Sequence, residues 1–144
     1  VDRDRVVRRA LWFSAAFNLG GAVLFAFPSS PPARLIGLPA PVPLIYRTLL
    51  AMFVLLFGGA YAWLAGQRVI HRPLVALSAV GKAGAFSVIF AIWLLDQAPA
   101  RSVVAGAGDL ALAAIFTWWL LGTRGAAADA AAGAAPRFVG PGSR

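Results

Sequence analysis

The sequence predicts an all-α membrane protein, a four-helix transmembrane bundle with both termini cytoplasmic, on three observations. First, 60% of its 144 residues are hydrophobic and 12% charged, with a mean hydropathy of +0.79. Soluble domains are about half apolar and about a quarter charged. A chain this short buries only about two-thirds of its surface in water, so its surplus apolar side chains call for lipid. Second, the apolar residues gather into four runs, each long enough to cross a hydrocarbon core about 30 Å thick. Third, arginines collect at the ends of these runs with a marked bias toward one side.

The spans follow in order. The first covers residues 6–27, entering through Arg8, Arg9 and Trp12 and stopping at Pro28. Its apolar run is too long for a cleaved leader, so it is expected to stay as a span. Residues 29–42, with Pro31, Pro32, Pro39 and Pro41, read as an irregular loop on the membrane surface, holding one short interfacial turn over 33–38. The second span, 43–66, opens on Pro43, a residue suited to the first helical position. The third covers 73–95 and the fourth 102–122. The polar link 96–101 between them is short enough to make these two helices antiparallel neighbours. Residues 1–124 thus form the transmembrane domain. Residues 125–144 are Ala, Gly and Pro rich, and are expected to be a disordered cytoplasmic tail or a fraying extension of the fourth helix.

Basic residues set the orientation. With the N-terminus cytoplasmic, that side receives Arg3, Arg5, Arg8, Arg9, Arg68, Arg72, Arg124, Arg137 and Arg144, and the other side only Arg34, Arg47 and Arg101. Such a bias is the positive-inside pattern. Trp12, Trp63, Trp93, Trp118 and Trp119 all fall near span ends and read as interfacial anchors. The net charge of +8 on a soluble domain would raise the question of nucleic acid. Here the charges sit at span ends, so the expected partner is the anionic surface of a lipid bilayer, with no nucleic acid.

The informative residues are those that lipid should exclude: Asn18, Arg47, Lys82 and Asp109, one in each span. A charge at a helix centre costs about 2.5–3.5 kcal/mol on insertion scales, so each should face the interior and find a partner. Small residues flank them, including Gly20 and Gly21, Gly81, and Gly108, and let helix backbones approach closely. Helix rise assigns each a depth. Lys82 lies about 21 Å from the far end of its span and Asp109 about 10 Å from the same surface, which makes a direct pair strained. Arg47, about 6 Å below Pro43, lies nearer the depth of Asp109 and is the expected partner of its carboxylate. Asn18 falls between. The four form a ladder of depths, read first as polar glue that fixes helix register and second as a path for a proton, ion or small head group.

Catalytic constellations are absent from the sequence. There is no cysteine and one histidine, His71, in the loop 67–73. A lone loop histidine reads as interfacial in preference to a haem or chlorophyll ligand, and no cofactor or metal is expected. No paired carboxylates lie within a span, and no metal-ligand spacing such as His-Glu-x-x-His occurs. Gly58-Gly59 and Gly106-x-Gly108 sit inside apolar runs and read as packing positions, not phosphate cradles.

Several short motifs, Asn18-Leu19-Gly20-Gly21, Leu35-Ile36-Gly37-Leu38-Pro39, Arg47, Phe57-Gly58 with Tyr61, Gly81-Lys82, and Gly108-Asp109-Leu110 before Trp118-Trp119, carry a resemblance over residues 11–123. The chain resembles small bacterial four-span inner-membrane proteins of the DoxX-like kind. That resemblance implies a multi-pass protein of the bacterial cytoplasmic membrane and, since some DoxX-like proteins are small subunits associated with quinol oxidation, an accessory role beside a redox enzyme. The expected function is a non-catalytic membrane subunit or assembly factor packed against other membrane subunits. The alternative is a small carrier or binding protein for a proton, quinone or lipid-like ligand that uses the four intramembrane polar residues.

Overall fold

A computed structural model describes the backbone of residues 2–133 and the side chains of residues 2–123. The described residues are all-helical, with no strand. Four helices are long and apolar enough to cross a membrane: α1 (Arg3–Ala26), α3 (Leu44–Gly66), α4 (Arg72–Leu94) and the stretch Ala100–Thr123 of α5 (Ala100–Gly133). A fifth, α2 (Pro31–Leu35), is a single turn. Of the tail 125–144, the part up to Gly133 continues α5 as helix, and the remainder lies outside the described residues.

Local chemistry accounts for the helix ends. Asp2 caps α1 by accepting from the Arg5 amide at 3.2 Å. The helix therefore begins at Arg3, three residues before the apolar run, because a capping carboxylate and helix-forming arginines extend it into the polar flank. It ends ahead of Pro28, which disfavours helical geometry at Phe27. Pro43 is the N-cap of α3 and not its first helical residue. The link between α4 and α5 turns at Asp96, whose φ of 57° is one that a short polar side chain tolerates.

The loop 27–43 is organised around α2. It closes with a Schellman motif, Leu38 N–H to Ala33 carbonyl at 3.0 Å and Gly37 N–H to Arg34 carbonyl at 3.1 Å, with Gly37 at φ 84°. The turn expected over 33–38 is thus the C-terminal closure of a helical turn that begins at Pro31. The Ser102 hydroxyl, at the start of α5, donates toward the carbonyls of Ile36 and Gly37 at 3.2 and 3.3 Å and pins the loop. Gly37→Ala is expected to destabilise by more than about 1 kcal/mol. It imposes a positive φ on an L-residue and places a Cβ 2.5 Å from Ser102 Oγ and 2.7 Å from Pro99 Cγ. Proteolytic cleavage in the loop, faster than in the unmodified protein, is the check.

In the tertiary arrangement α1 lies along α3 and α4 along α5, with a smaller contact between α1 and α5 joining the pairs. The short link makes α4 and α5 neighbours, as the sequence suggests. The apolar core gathers at the end that carries the start of α1 and the loop 67–71. Val7 and Leu11, Tyr61 and Leu64, Val75 and Ala79, and Leu112 and Phe116 meet there, two from each long helix. Two arginines serve as caps at this end. Arg8 donates to the carbonyls of Ala65 and Gln67, both at 2.5 Å, which occupies acceptors that the end of α3 leaves free. Arg72 donates to the Leu120 carbonyl at 2.9 Å and to the Thr123 hydroxyl.

Trp119 departs from the anchor role read for it. It is buried at 3% exposure, and its indole N–H donates to the Asp4 carboxylate at 2.7 Å. Trp12, Trp63 and Trp118 present exposed rings. His71 sits at the N-cap of α4 and stacks on Trp63, centroids 6.5 Å apart and planes 2° off parallel.

Candidate functional site: an intramembrane ion pair

Three of the four polar residues singled out in the sequence come together, and the fourth does not. Lys82 Nζ lies 2.6 Å from Asp109 Oδ1 and 3.4 Å from Asn18 Oδ1. Asn18 in turn donates through Nδ2 to the Val54 carbonyl of α3 at 3.2 Å. A chain of polar contacts therefore runs from α3 through α1 and α4 to α5, using both ends of the Asn18 amide.

The surroundings of Lys82 explain how a charge is held there. Its residue exposure is 3%, and the Asp109 side chain is 17% exposed. The ammonium faces the rings of Phe17 and Tyr61, at 5.4 and 5.2 Å from their centroids, so aromatic faces cover the side that carboxylate and amide leave open. Ser78, one turn earlier on α4, is buried beside it and donates to the Leu74 carbonyl at 2.7 Å. Ser78 reads in the sequence as a small residue beside Lys82, and Tyr61 only as part of a motif that carries the resemblance, whereas Phe17 is not singled out there. Ser78 and Lys82 have the i, i+4 spacing of one helix face, which was a usable signal for that residue. Phe17 and Tyr61 look like ordinary apolar filling until the tertiary fold sets them over the ammonium.

Close backbone approach makes the site possible. A Cβ at Gly58 would lie 3.2 Å from Asn18 Cβ and 3.4 Å from the Ala15 carbonyl, so glycine lets α3 come against α1 at this level. A Cβ at Gly108 would lie 3.2 Å from the Phe17 ring, which brings α5 against α1 next to Asp109.

The expected pairing of Arg47 with Asp109 is overturned, since Lys82 holds that carboxylate. Two assumptions account for the error. The end of α4 lies closer to Lys82, and the start of α5 further from Asp109, than the polar link 96–101 implies, since α4 ends at Leu94 and α5 starts at Ala100. From those ends Lys82 and Asp109 lie about 18 and about 14 Å deep, and a flexible four-carbon arm bridges the rest. Equal depth, moreover, does not make neighbours: α3 packs along α1 and makes little backbone contact with α5. Arg47 instead lines a cleft of about 190 Å³ with Phe25, Pro28, Leu38, Pro39, Val42, Tyr46 and Leu50. Its Nε is buried and has no hydrogen-bond partner among the described residues.

A second cleft, about 280 Å³, lies at the opposite end between Asp4, Arg68, Arg72, Trp119 and Thr123. Neither cleft is lined by Asn18, Lys82 or Asp109. Among the described residues no three His, Asp or Glu side chains gather as a metal site would require.

Four long apolar helices with a buried ion pair between two of them define a multi-pass helical membrane protein. No family model, curated protein or solved structure matches the chain.

Proposed function

We propose that this chain is a four-helix transmembrane bundle of the bacterial cytoplasmic membrane, with both termini cytoplasmic, that serves as a non-catalytic subunit or accessory factor of a larger membrane complex. The carrying observation is the uncovered face of α4. A Cβ added at Gly81 or Gly84 meets no atom within 4 Å, and Leu77, Val80 and Val88 on the same stripe are exposed. In lipid, helices associate through close packing of small residues, so a bare glycine pair flanked by aliphatic side chains suits the helix of another subunit. The DoxX-like resemblance and the accessory role it implies agree with this reading. The ion pair fits it too. A lysine satisfied by carboxylate, amide and two rings acts as a lock on helix register, and a lock of that kind has no free partner for a passing solute.

Purification in mild detergent followed by mass spectrometry tests the proposal. Other polypeptides are expected to co-migrate with the chain. Gly84→Leu should remove them while leaving the melting temperature of the isolated bundle unchanged, because the new side chain points into open space. A monodisperse protein with no other polypeptide, or one bound only to its own copies, overturns the subunit reading.

A second reading, a small binding protein or carrier for a proton, quinone or lipid-like ligand, draws support from one observation, the Arg47 Nε that has no hydrogen-bond partner among the described residues, in a largely apolar cleft. Binding or transport of a solute that is lost on Arg47→Gln would favour it.

A further inference from the structure

Arg47 is the residue that the fold leaves unexplained. A guanidinium always carries its charge and presents five donors. Here its Nε is buried without a partner, and among the described residues the ion pairs are Arg5 with Asp2 and Lys82 with Asp109, so no carboxylate answers it. Orphaned buried donors are rare in native proteins, and each calls for a physical explanation. The cleft around it offers aliphatic, proline and aromatic side chains, Phe25 and Tyr46 among them, and no acidic group. Whatever completes the site must bring its own negative charge and an apolar portion.

Depth and size narrow the occupant. Arg47 is four residues inside the N-cap of α3, about 6 Å along the helix axis. That places it where hydrocarbon gives way to headgroups and where a long basic side chain reaches lipid phosphate. The cleft volume, about 190 Å³, is below the roughly 300–1,000 Å³ of sites that enclose a whole small molecule. An occupant with most of its body in the bilayer meets this limit, and one that must be engulfed does not. The walls are also fixed: Leu38 and Pro39 belong to the loop that the Schellman turn and Ser102 hold in place.

We propose that this cleft binds an anionic phospholipid, its phosphate paired with the Arg47 fork and the first methylenes of one acyl chain packed against Leu50 and Phe25. The bound lipid supplies the counter-charge that no other span provides and joins α3 to the loop 27–43. This inference is independent of the subunit reading, since it concerns a face remote from Gly81 and Gly84 in sequence and a partner from the bilayer itself.

Native mass spectrometry of the detergent-purified full chain, delipidated and then titrated with phosphatidylglycerol, phosphatidylcholine or inorganic phosphate, tests the proposal. One phosphatidylglycerol is expected to bind per chain, at least about tenfold more tightly than phosphatidylcholine. Arg47→Gln should weaken that binding about tenfold or more, the loss associated with one charge-assisted hydrogen bond. Arg47→Lys should retain part of it, since the charge remains while the fork is lost. Leu50→Trp leaves Arg47 intact and occupies the cleft from its lipid-facing side. It should also weaken binding, which keeps the test decisive if Arg47→Gln fails to fold. Equal affinity for the two lipids, undiminished binding by Arg47→Gln or Leu50→Trp, or full competition by inorganic phosphate at matched concentration overturns the proposal.

Discussion

Asp109→Leu is expected to destabilise the folded protein by about 3–5 kcal/mol, because it leaves the ammonium of Lys82 buried at 3% exposure without its counter-ion. The Asn18 amide and the two aromatic faces remain, but an amide oxygen at 3.4 Å is a weak substitute for a carboxylate at 2.6 Å. Removing both charges should cost far less, since a buried pair replaced by apolar groups of similar volume is often neutral. The measurement is a double-mutant cycle of Asp109→Leu with Lys82→Met, followed by unfolding in mixed micelles. A coupling energy of about 1 kcal/mol or more is expected for this pair. The corresponding cycle of Asp109→Leu with Arg47→Met should be additive to within about 0.5 kcal/mol. Coupling in the second cycle and none in the first would give the Asp109 carboxylate to Arg47 instead of Lys82.

Gly58→Leu carries the next largest expected effect. A Cβ alone lands 3.2 Å from Asn18 Cβ and 3.4 Å from a backbone carbonyl, which cannot rotate away, and three more carbons follow it. The helices must separate, at a cost of about 1–3 kcal/mol or more. Separation also withdraws the Val54 carbonyl from Asn18, and with it the link from α3 to the ion pair. Gly59→Leu is the control: it lies one residue on, about 100° around the helix, where an added Cβ meets nothing within 4 Å. Its unfolding midpoint should match that of the unmodified protein within measurement error, while that of Gly58→Leu falls. Equal effects at the two positions would mean that the α1 and α3 contact is not as close as described.

These two results bear on the same question, whether the polar cluster is a lock or a path. A lock needs its members mutually satisfied and its helices in close contact. Lys82 has carboxylate, amide and aromatic partners, and Gly58 and Gly108 bring α3 and α5 against α1 on either side of it. Arg47 is the exception, a charged side chain whose buried Nε has no hydrogen-bond partner among the described residues.

Much of the architecture was legible in the residues. The four long helices fall within a few residues of the apolar runs, because hydropathy summed over about 20 residues measures transfer into lipid and needs no knowledge of neighbours. Proline and glycine placed the loop 29–42 and its turn, since their backbone limits are local as well. That Asn18, Lys82 and Asp109 face inward also follows from the cost of exposing them to lipid. Which of them meet was a different matter. Depth along the membrane normal can be counted from sequence, but the direction in which a side chain leaves its helix, and which helix stands beside it, cannot. Arg47 and Asp109 were matched in depth, yet α3 lies along α1 and α5 along α4, so the long arm of Lys82 took the carboxylate. Burial of Trp119 and the rings of Phe17 and Tyr61 over the ammonium arise in the same way, from helix contacts set by the whole chain. Spans and polar positions are one-dimensional properties of the sequence, whereas pairing is decided only when the helices pack.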